Sequence, residues 1–231
     1  MARHLLLRLE GPLMAFGTTA VDHRRPVQPW PATSMLTGLL ANALGWDRAE
    51  GARLERLQAR LRWAARIDRP GEHLGDFQTA QLSKKSVGWT TRGVVESPAG
   101  GDAAFESPHL RERDYRADAS VLVALRLDPA DEAPTLDELC AALDRPARPL
   151  FLGRKGCPPA ARLAAGWADG ATAVDAIDGA AGLDSHARPA VYTNEAGAIG
   201  QPDRVHPASD ERRFSVDVHA GTRPIYERCA R

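Results

Sequence analysis

Two basic side chains stand between glycines in Gly153-Arg154-Lys155-Gly156, with Cys157-Pro158 directly after them. Glycine freedom lets such a loop wrap a phosphodiester backbone while the cations face outward; the plainer account is a basic surface turn. It is not a P-loop, because the spacing and the helix that must follow are missing. A second loop, Gly11-Pro12-Leu13-Met14-Ala15-Phe16-Gly17, carries two glycines and an aromatic ring. Gly11 and Gly17 would let main-chain N–H groups approach a ligand, and Phe16 offers a face for base stacking. Alternatively this is a tight turn with Met14 and Phe16 in the core.

The third candidate is Arg24-Arg25-Pro26, followed by Pro29-Trp30-Pro31-Ala32-Thr33-Ser34. Two guanidiniums ahead of a helix start, whose free N–H groups and dipole favour an anion, make a phosphate clamp. The alternative is an ordinary N-cap with solvated arginines. In the fourth, Lys84-Lys85 and Trp89 are followed by Arg111, Arg113, Tyr115 and Arg116. Cations interleaved with rings suit single-stranded RNA, since cations track phosphates and rings stack on bases. A flexible hairpin, or one that docks on protein, is the other account. The chain's three lysines, Lys84, Lys85 and Lys155, all fall in these loops.

Signatures of enzymes are thin. The seven histidines show no H-E-x-x-H or other ligand spacing, so no metal site is expected. There is no G-x-S-x-G and no G-x-G-x-x-G after the first strand, and no cofactor is expected.

The elements that must position these loops are read from periodicity. Residues 4–10 alternate, with Leu5, Leu7 and Leu9 on one face of a strand that Gly11-Pro12 stops. Thr33 or Ser34 can cap a helix in which Met35, Leu36, Leu39, Leu40, Ala43 and Leu44 recur, with Gly45 placed to end it. A second helix is expected over about 50–59, then a strand with Leu61, Trp63, Ala65 and Ile67 on one face. Residues 119–127 alternate again through Val121, Val123, Leu125 and Leu127. Thr135-Leu136-Asp137-Glu138 has the capping-box pattern of a helix start, and Pro149-Leu150-Phe151-Leu152 reads as a last short strand. Residues 74–116 between them are polar, glycine-bearing and without a helical period.

Strand, helix, strand, long insertion, strand, helix, strand is the order of an α+β, ferredoxin-like (RRM-like) βαβ-βαβ domain over 1–158. Its insertion, about 74–116, is expected as a thumb-like β-hairpin. Residues 159–231 are expected as a small β-rich C-terminal region, with a short helix near 172–177 and a strand over 214–219.

Bulk numbers set the frame. With 231 residues and 43% hydrophobic content the chain can build a substantial core. Formal net charge is zero, so the whole-molecule field neither favours nor disfavours a nucleic-acid partner. The distribution is uneven: residues 1–92 carry 14 basic against 8 acidic side chains, residues 93–155 carry 8 against 12. Cys140, Cys157 and Cys229 are an odd count without C-x-x-C, which suggests neither a disulfide framework nor a thiolate zinc site. A reducing, cytoplasmic setting is expected. The early apolar run, residues 5–9, is too short for a signal or a membrane span, and no membrane partner is expected.

Taken in order, these segments resemble the CasD-type subunits of type I-E CRISPR Cascade, in the RAMP superfamily of CRISPR-associated RNA-binding proteins. The likeness lies in Leu7-Arg8-Leu9-Glu10-Gly11-Pro12 with Ala15-Phe16-Gly17, in Arg25-Pro26 with Pro31-Ala32-Thr33-Ser34, and in the Gly38-Leu39-Leu40 helix. It continues through Asp76-Phe77-Gln78-Thr79, Arg113-Asp114-Tyr115, Asp118-Ala119-Ser120 and residues 152–158, and thins out afterwards. The resemblance implies a RAMP domain whose body and thumb hold the 5′ handle of the guide RNA (crRNA). It also implies contacts with the backbone subunit CasC and the large subunit CasA, an indirect role at target DNA, and no catalysis. The implied handle contacts are Phe16, Gly17, Arg24, Arg25, Thr33, Ser34, Lys84, Lys85, Arg113, Tyr115, Gly153, Arg154, Lys155, Gly156 and Cys157. Where relatives often have histidine after the Asp-aromatic pair, this chain has Gln78, so a relay needing a general base there loses its titratable group.

Two other classes of function remain open at this level. A metal-independent endoribonuclease that matures the guide precursor needs a base for the 2′-hydroxyl and a cation for the phosphorane, which Tyr115 with His109 and Lys84 or Lys85 could provide. A small-molecule enzyme on the same scaffold is the third, since fold does not fix function.

Overall fold

A computed structural model of the chain describes residues 1–20, 23–81, 88–89, 95–96, 108–181, 189–219 and 221–230. In chain order it runs β1 (Ala2–Glu10), β2 (Leu13–Met14), β3 (Arg24–Arg25), α1 (Thr33–Ala43), α2 (Gly51–Arg60), β4 (Leu61–Arg69) and β5 (Glu72–Ala80). Then come β6 (Gly88–Trp89), β7 (Val95–Glu96), β8 (His109–Ala117), β9 (Ser120–Leu127), α3 (Leu136–Asp144), β10 (Ala164–Gly170) and α4 (Ala173–Asp178). The chain closes with β11 (Val191–Thr193), β12 (Arg204–Ala208), β13 (Arg212–Arg213), β14 (Val218–His219) and β15 (Arg223–Arg228).

The architecture is mixed α/β around antiparallel sheets. Seven strands form one sheet in the order β10-β1-β9-β4-β11-β15-β12, every neighbouring pair antiparallel. Strands β1 and β4 flank β9 and so run the same way, with α1 and α2 between them in the chain; β9 and β10 flank β1 likewise, joined through α3. The alternation read in β1 has its physical cause here. Leu5, Leu7 and Leu9 are buried in the main core with Leu36, Leu40, Leu139 and Leu143 of α1 and α3, while Leu6 points to the other face and packs with α4. Thr135 caps α3 through the reciprocal bonds its sequence predicts.

Residues 72–80 and 109–117 form a nine-rung antiparallel ladder from Glu72↔Ala117 to Ala80↔His109. It continues the β4–β9 pairing past a bend at Pro70-Gly71 on one side and Asp118, at φ +53°, on the other. A Cβ at Gly71 would stand 2.3 Å from the Ala117 carbonyl oxygen, so the bend admits only glycine. The opposite edge of β8 carries β2, antiparallel, and β3, parallel with Arg25 opposite Arg113.

Two expected strands are corrected. Residues 149–152 form no strand: Pro149 has no N–H, its carbonyl accepts from the Asn42 amide at 2.6 Å, and Leu152 N–H is taken by Cys157 O at 2.7 Å. The place beside β1 goes to β10, whose small residues and bulge opposite Leu6 and Leu7 leave no alternation to read. Residues 214–219 are a turn and one short strand of the β13–β14 hairpin, with Asp217 at φ +60°. Residues after 159 supply β10, β11, β12 and β15, so the large sheet runs across position 158.

Candidate nucleic-acid interface

The two glycine loops, far apart in the chain, lie against each other. Ala15 N–H donates to Leu152 O at 3.0 Å, and Gly153 adopts φ +100° where a Cβ would stand 2.0 Å from Ala15 O. A Cβ at Gly11 would likewise meet Pro158 O at 2.7 Å. Glycine at both positions is what lets the loops close. Cys157 N–H donates to Arg154 O at 2.9 Å, which folds Gly153 to Cys157 back on itself and sends the thiol inward. Burial raises that thiol's pKa. Phe16 is also in the core, 2% exposed. Neither Phe16 nor Cys157 presents a side chain to a ligand, a correction whose cause is packing: each fills space under its own loop.

Arg154 ties three segments together. Its guanidinium donates to Asp114 O at 2.8 Å and Arg25 O at 2.9 Å, and lies 4.8 Å from the Tyr115 ring centroid. These bonds use two of its five guanidinium donors among the described residues. Tyr115 is buried beneath it and so does not offer an open stacking face. Arg24 donates to the buried Asp114 carboxylate at 3.2 Å, beside His73 at 3.4 Å. Arg113 is half-buried on β8 opposite Asp76. Lys84 and Lys85 lie outside the described residues.

Gly17, Arg25, Ser34, Gly153, Arg154 and Lys155 line one open cleft of about 790 Å³. Arg24, Arg113 and Tyr115 stand outside its lining, and Gly156 is exposed without contributing to it.

The start of α1 differs from expectation. Ala32, not Thr33 or Ser34, is the N-cap, and it supplies no side-chain bond. Asp210 fills the role from across the molecule. Its carboxylate accepts from Thr33 N–H at 2.9 Å and from the Thr33 hydroxyl at 3.1 Å, and its main-chain oxygen from Ser34 N–H at 2.8 Å. Arg223 binds both Asp210 oxygens, at 2.6 and 2.7 Å, and also the Thr33 hydroxyl, which Trp63 Nε1–H reaches at 2.8 Å. The expected phosphate clamp thus already holds an anion, and Thr33 is fully buried. Ser34 alone of the pair reaches the cleft.

Other cleft residues escaped the sequence reading: Arg48, Arg148, Arg212 and His219, over an apolar lining that includes Met35, Trp46, Phe151 and Phe214. Arg148 is held by the Asp47 carboxylate at 2.7 Å and Trp46 O at 2.7 Å. Asp217 binds Arg48 and, at 2.5 Å, Arg212; the bond from Arg48 is the main cause that lowers its carboxyl pKa. Among the described residues no carboxylate lines the cleft itself. Nothing local in the sequence links these arginines, which come from the α1–α2 corner, the segment before residue 149 and the β13–β14 hairpin.

The endoribonuclease trio is not assembled. His109 and Tyr115 are six positions apart on β8, roughly 20 Å at strand spacing, so no single phosphate reaches both. Among the described residues no group of three His, Cys, Asp or Glu side chains could hold a metal ion, and no helix is long and apolar enough to cross a membrane.

The family model and the fold comparisons span nearly the whole chain. The family model for the CRISPR-associated protein Cas5 matches residues 4–226. The CRISPR system Cascade subunit CasD of Escherichia coli (strain K12) is 32% identical over 158 residues, 68% of each chain. A chain of a solved CRISPR RNA-guided surveillance complex shares the fold at TM-score 0.63 and 23% identity, over 97% of this chain and 89% of its own. A crystal structure of a Cas protein aligns at TM-score 0.61 and 26% identity, over 99% and 93%.

Proposed function

The chain belongs to the CRISPR-associated Cas5 family, and from that premise we propose that it is the non-catalytic subunit of a Cascade surveillance complex that binds the 5′ handle of the guide RNA. The observation that carries this reading is the cleft where Arg25, Arg154 and Lys155 meet the main chain of Gly17 and Gly153, in a described lining that contains basic side chains and no Asp or Glu. Such a surface attracts a polyanion, and its glycines leave room for a backbone to approach.

A ferredoxin-like RAMP body is supported by β10-β1-β9-β4 with α1 and α3 as the two crossovers, which is the split βαβ arrangement. The β5–β8 ladder is its thumb. Lys84 and Lys85, which lie between those strands in the sequence, are assigned to the RNA handle by the family resemblance. CasC-type and CasA-type neighbours, an indirect approach to target DNA and a cytoplasmic setting follow from the same assignment. The separation of His109 from Tyr115 supports binding without cleavage.

A filter-binding titration, with neighbouring subunits present, tests it. The expected result is preference for single-stranded handle RNA over an unrelated RNA, with affinity falling as salt rises. Equal affinity for both RNAs sinks the reading.

A further inference from the structure

We infer that the β13–β14 hairpin completes the RNA cleft by building a second phosphate subsite, and that the nucleoside between the two subsites lies against the bare backbone of Gly38. The inference rests on the RNA-binding reading above and assigns the C-terminal part of the chain a direct share in it.

The hairpin is latched to α2 by contacts that fix its position. Arg212 exchanges two hydrogen bonds with the Gln58 amide through its main chain, both at 3.0 Å, and Glu55 accepts from Ser215 N–H at 2.9 Å and its hydroxyl at 2.8 Å. Gly51 makes the approach feasible, because a Cβ there would stand 2.8 Å from the Ser215 main chain. So docked, the hairpin puts Arg212 on the cleft, and Asp217 joins Arg212 to Arg48 in one group whose two guanidiniums and single carboxylate leave a net positive charge. This group is built on α2, the α1–α2 corner and the hairpin, whereas Arg25 and Arg154 are positioned by the glycine loops and β8.

Gly38 supplies the independent observation. It sits inside α1, where glycine is the poorest helix former after proline, and its residue is exposed on the cleft. A Cβ added there would meet no atom within 4 Å, so nothing in the fold itself requires glycine. A flat ring or sugar that must rest on the helix backbone would require it.

The test is fluorescence anisotropy with the full chain and a labelled single-stranded RNA octamer matching the guide's 5′ end, at several salt concentrations. Arg48→Ala with Arg212→Ala should weaken binding about tenfold and flatten the salt dependence by about one phosphate contact. Gly38→Leu, whose Cβ meets no atom of the fold within 4 Å, should melt no lower than the parent, because it gains helix propensity, yet bind about tenfold more weakly. Those opposite signs separate a ligand contact from a packing role. If Gly38→Leu and the double variant bind like the parent while Arg154→Ala binds weakly, the inference is overturned and the RNA-binding reading stands. If the parent itself shows no affinity for the octamer, both fall.

Discussion

The Arg154 guanidinium donates to the main-chain oxygen of Arg25 at 2.9 Å, so the two cations sit on the same cleft as parts of one fixed unit. The bond to Asp114 O at 2.8 Å extends that unit to the base of the β5–β8 ladder. A side chain that both shapes a site and offers charge to it cannot be replaced by charge alone.

Arg154→Ala should therefore lower RNA affinity about tenfold or more, and Arg154→Lys should restore only part of the loss. Lysine keeps the charge but not the planar fork that spans two carbonyls. Titrations of the three proteins against one labelled RNA decide it; full rescue by lysine would show that Arg154 acts as a point charge.

Gly153 and Gly156 should respond differently to the same change. Alanine at Gly153 meets both a positive φ and the Ala15 carbonyl, and should cost about 3 kcal/mol in urea unfolding. Alanine at Gly156 enters open space and should stay within about 0.5 kcal/mol of the parent.

Asp210→Ala should destabilise the fold by about 3–5 kcal/mol, because it leaves Arg223 and the first N–H of α1 without their shared acceptor. Asp210→Asn keeps an acceptor and should lose less. Thermal and urea unfolding of both variants measure this. A chain whose α1 start were an empty anion site would lose nothing with Asp210.

His4 gives the fold an acid sensitivity. Burial lowers its pKa from 6.5, partly offset by the bond between its Nδ1 and Ala2 O at 2.9 Å. The unfolded chain then takes up the proton more readily than the folded one. Its contribution is whole above about pH 6.5 and is lost as pH falls toward the depressed value. His4→Leu should flatten the melting temperature between about pH 7 and pH 5, and an unchanged slope would remove His4 as the cause.

Much of the body was legible because burial writes periodicity into the chain. Leu5-Leu7-Leu9, Trp63-Ala65-Ile67 and Val121-Val123-Leu125 each face one core, α1 and α2 appear within a residue or two of their expected limits, and α3 begins at its expected cap. Strand β10 was not legible, since an edge strand of Ala and Gly with a bulge carries no alternating pattern. Residues 149–152 misled because buried Leu150 and Leu152 look like a strand but anchor a loop.

By itself the sequence determined which loops had the glycines and cations to meet a phosphate chain, and in what order helices and strands would carry them. Residue type and local spacing are enough for that. Only the tertiary structure decided that Phe16, Thr33, Tyr115 and Cys157 turn inward and that Asp210 occupies the start of α1. It likewise decided that Arg48, Arg148 and Arg212 join Arg25 and Arg154 around one cleft. The Asp210–Thr33, Arg154–Arg25, Arg148–Asp47 and Arg48–Asp217 contacts join residues more than a hundred positions apart, where no local pattern records which partner will satisfy a charge or a hydrogen bond.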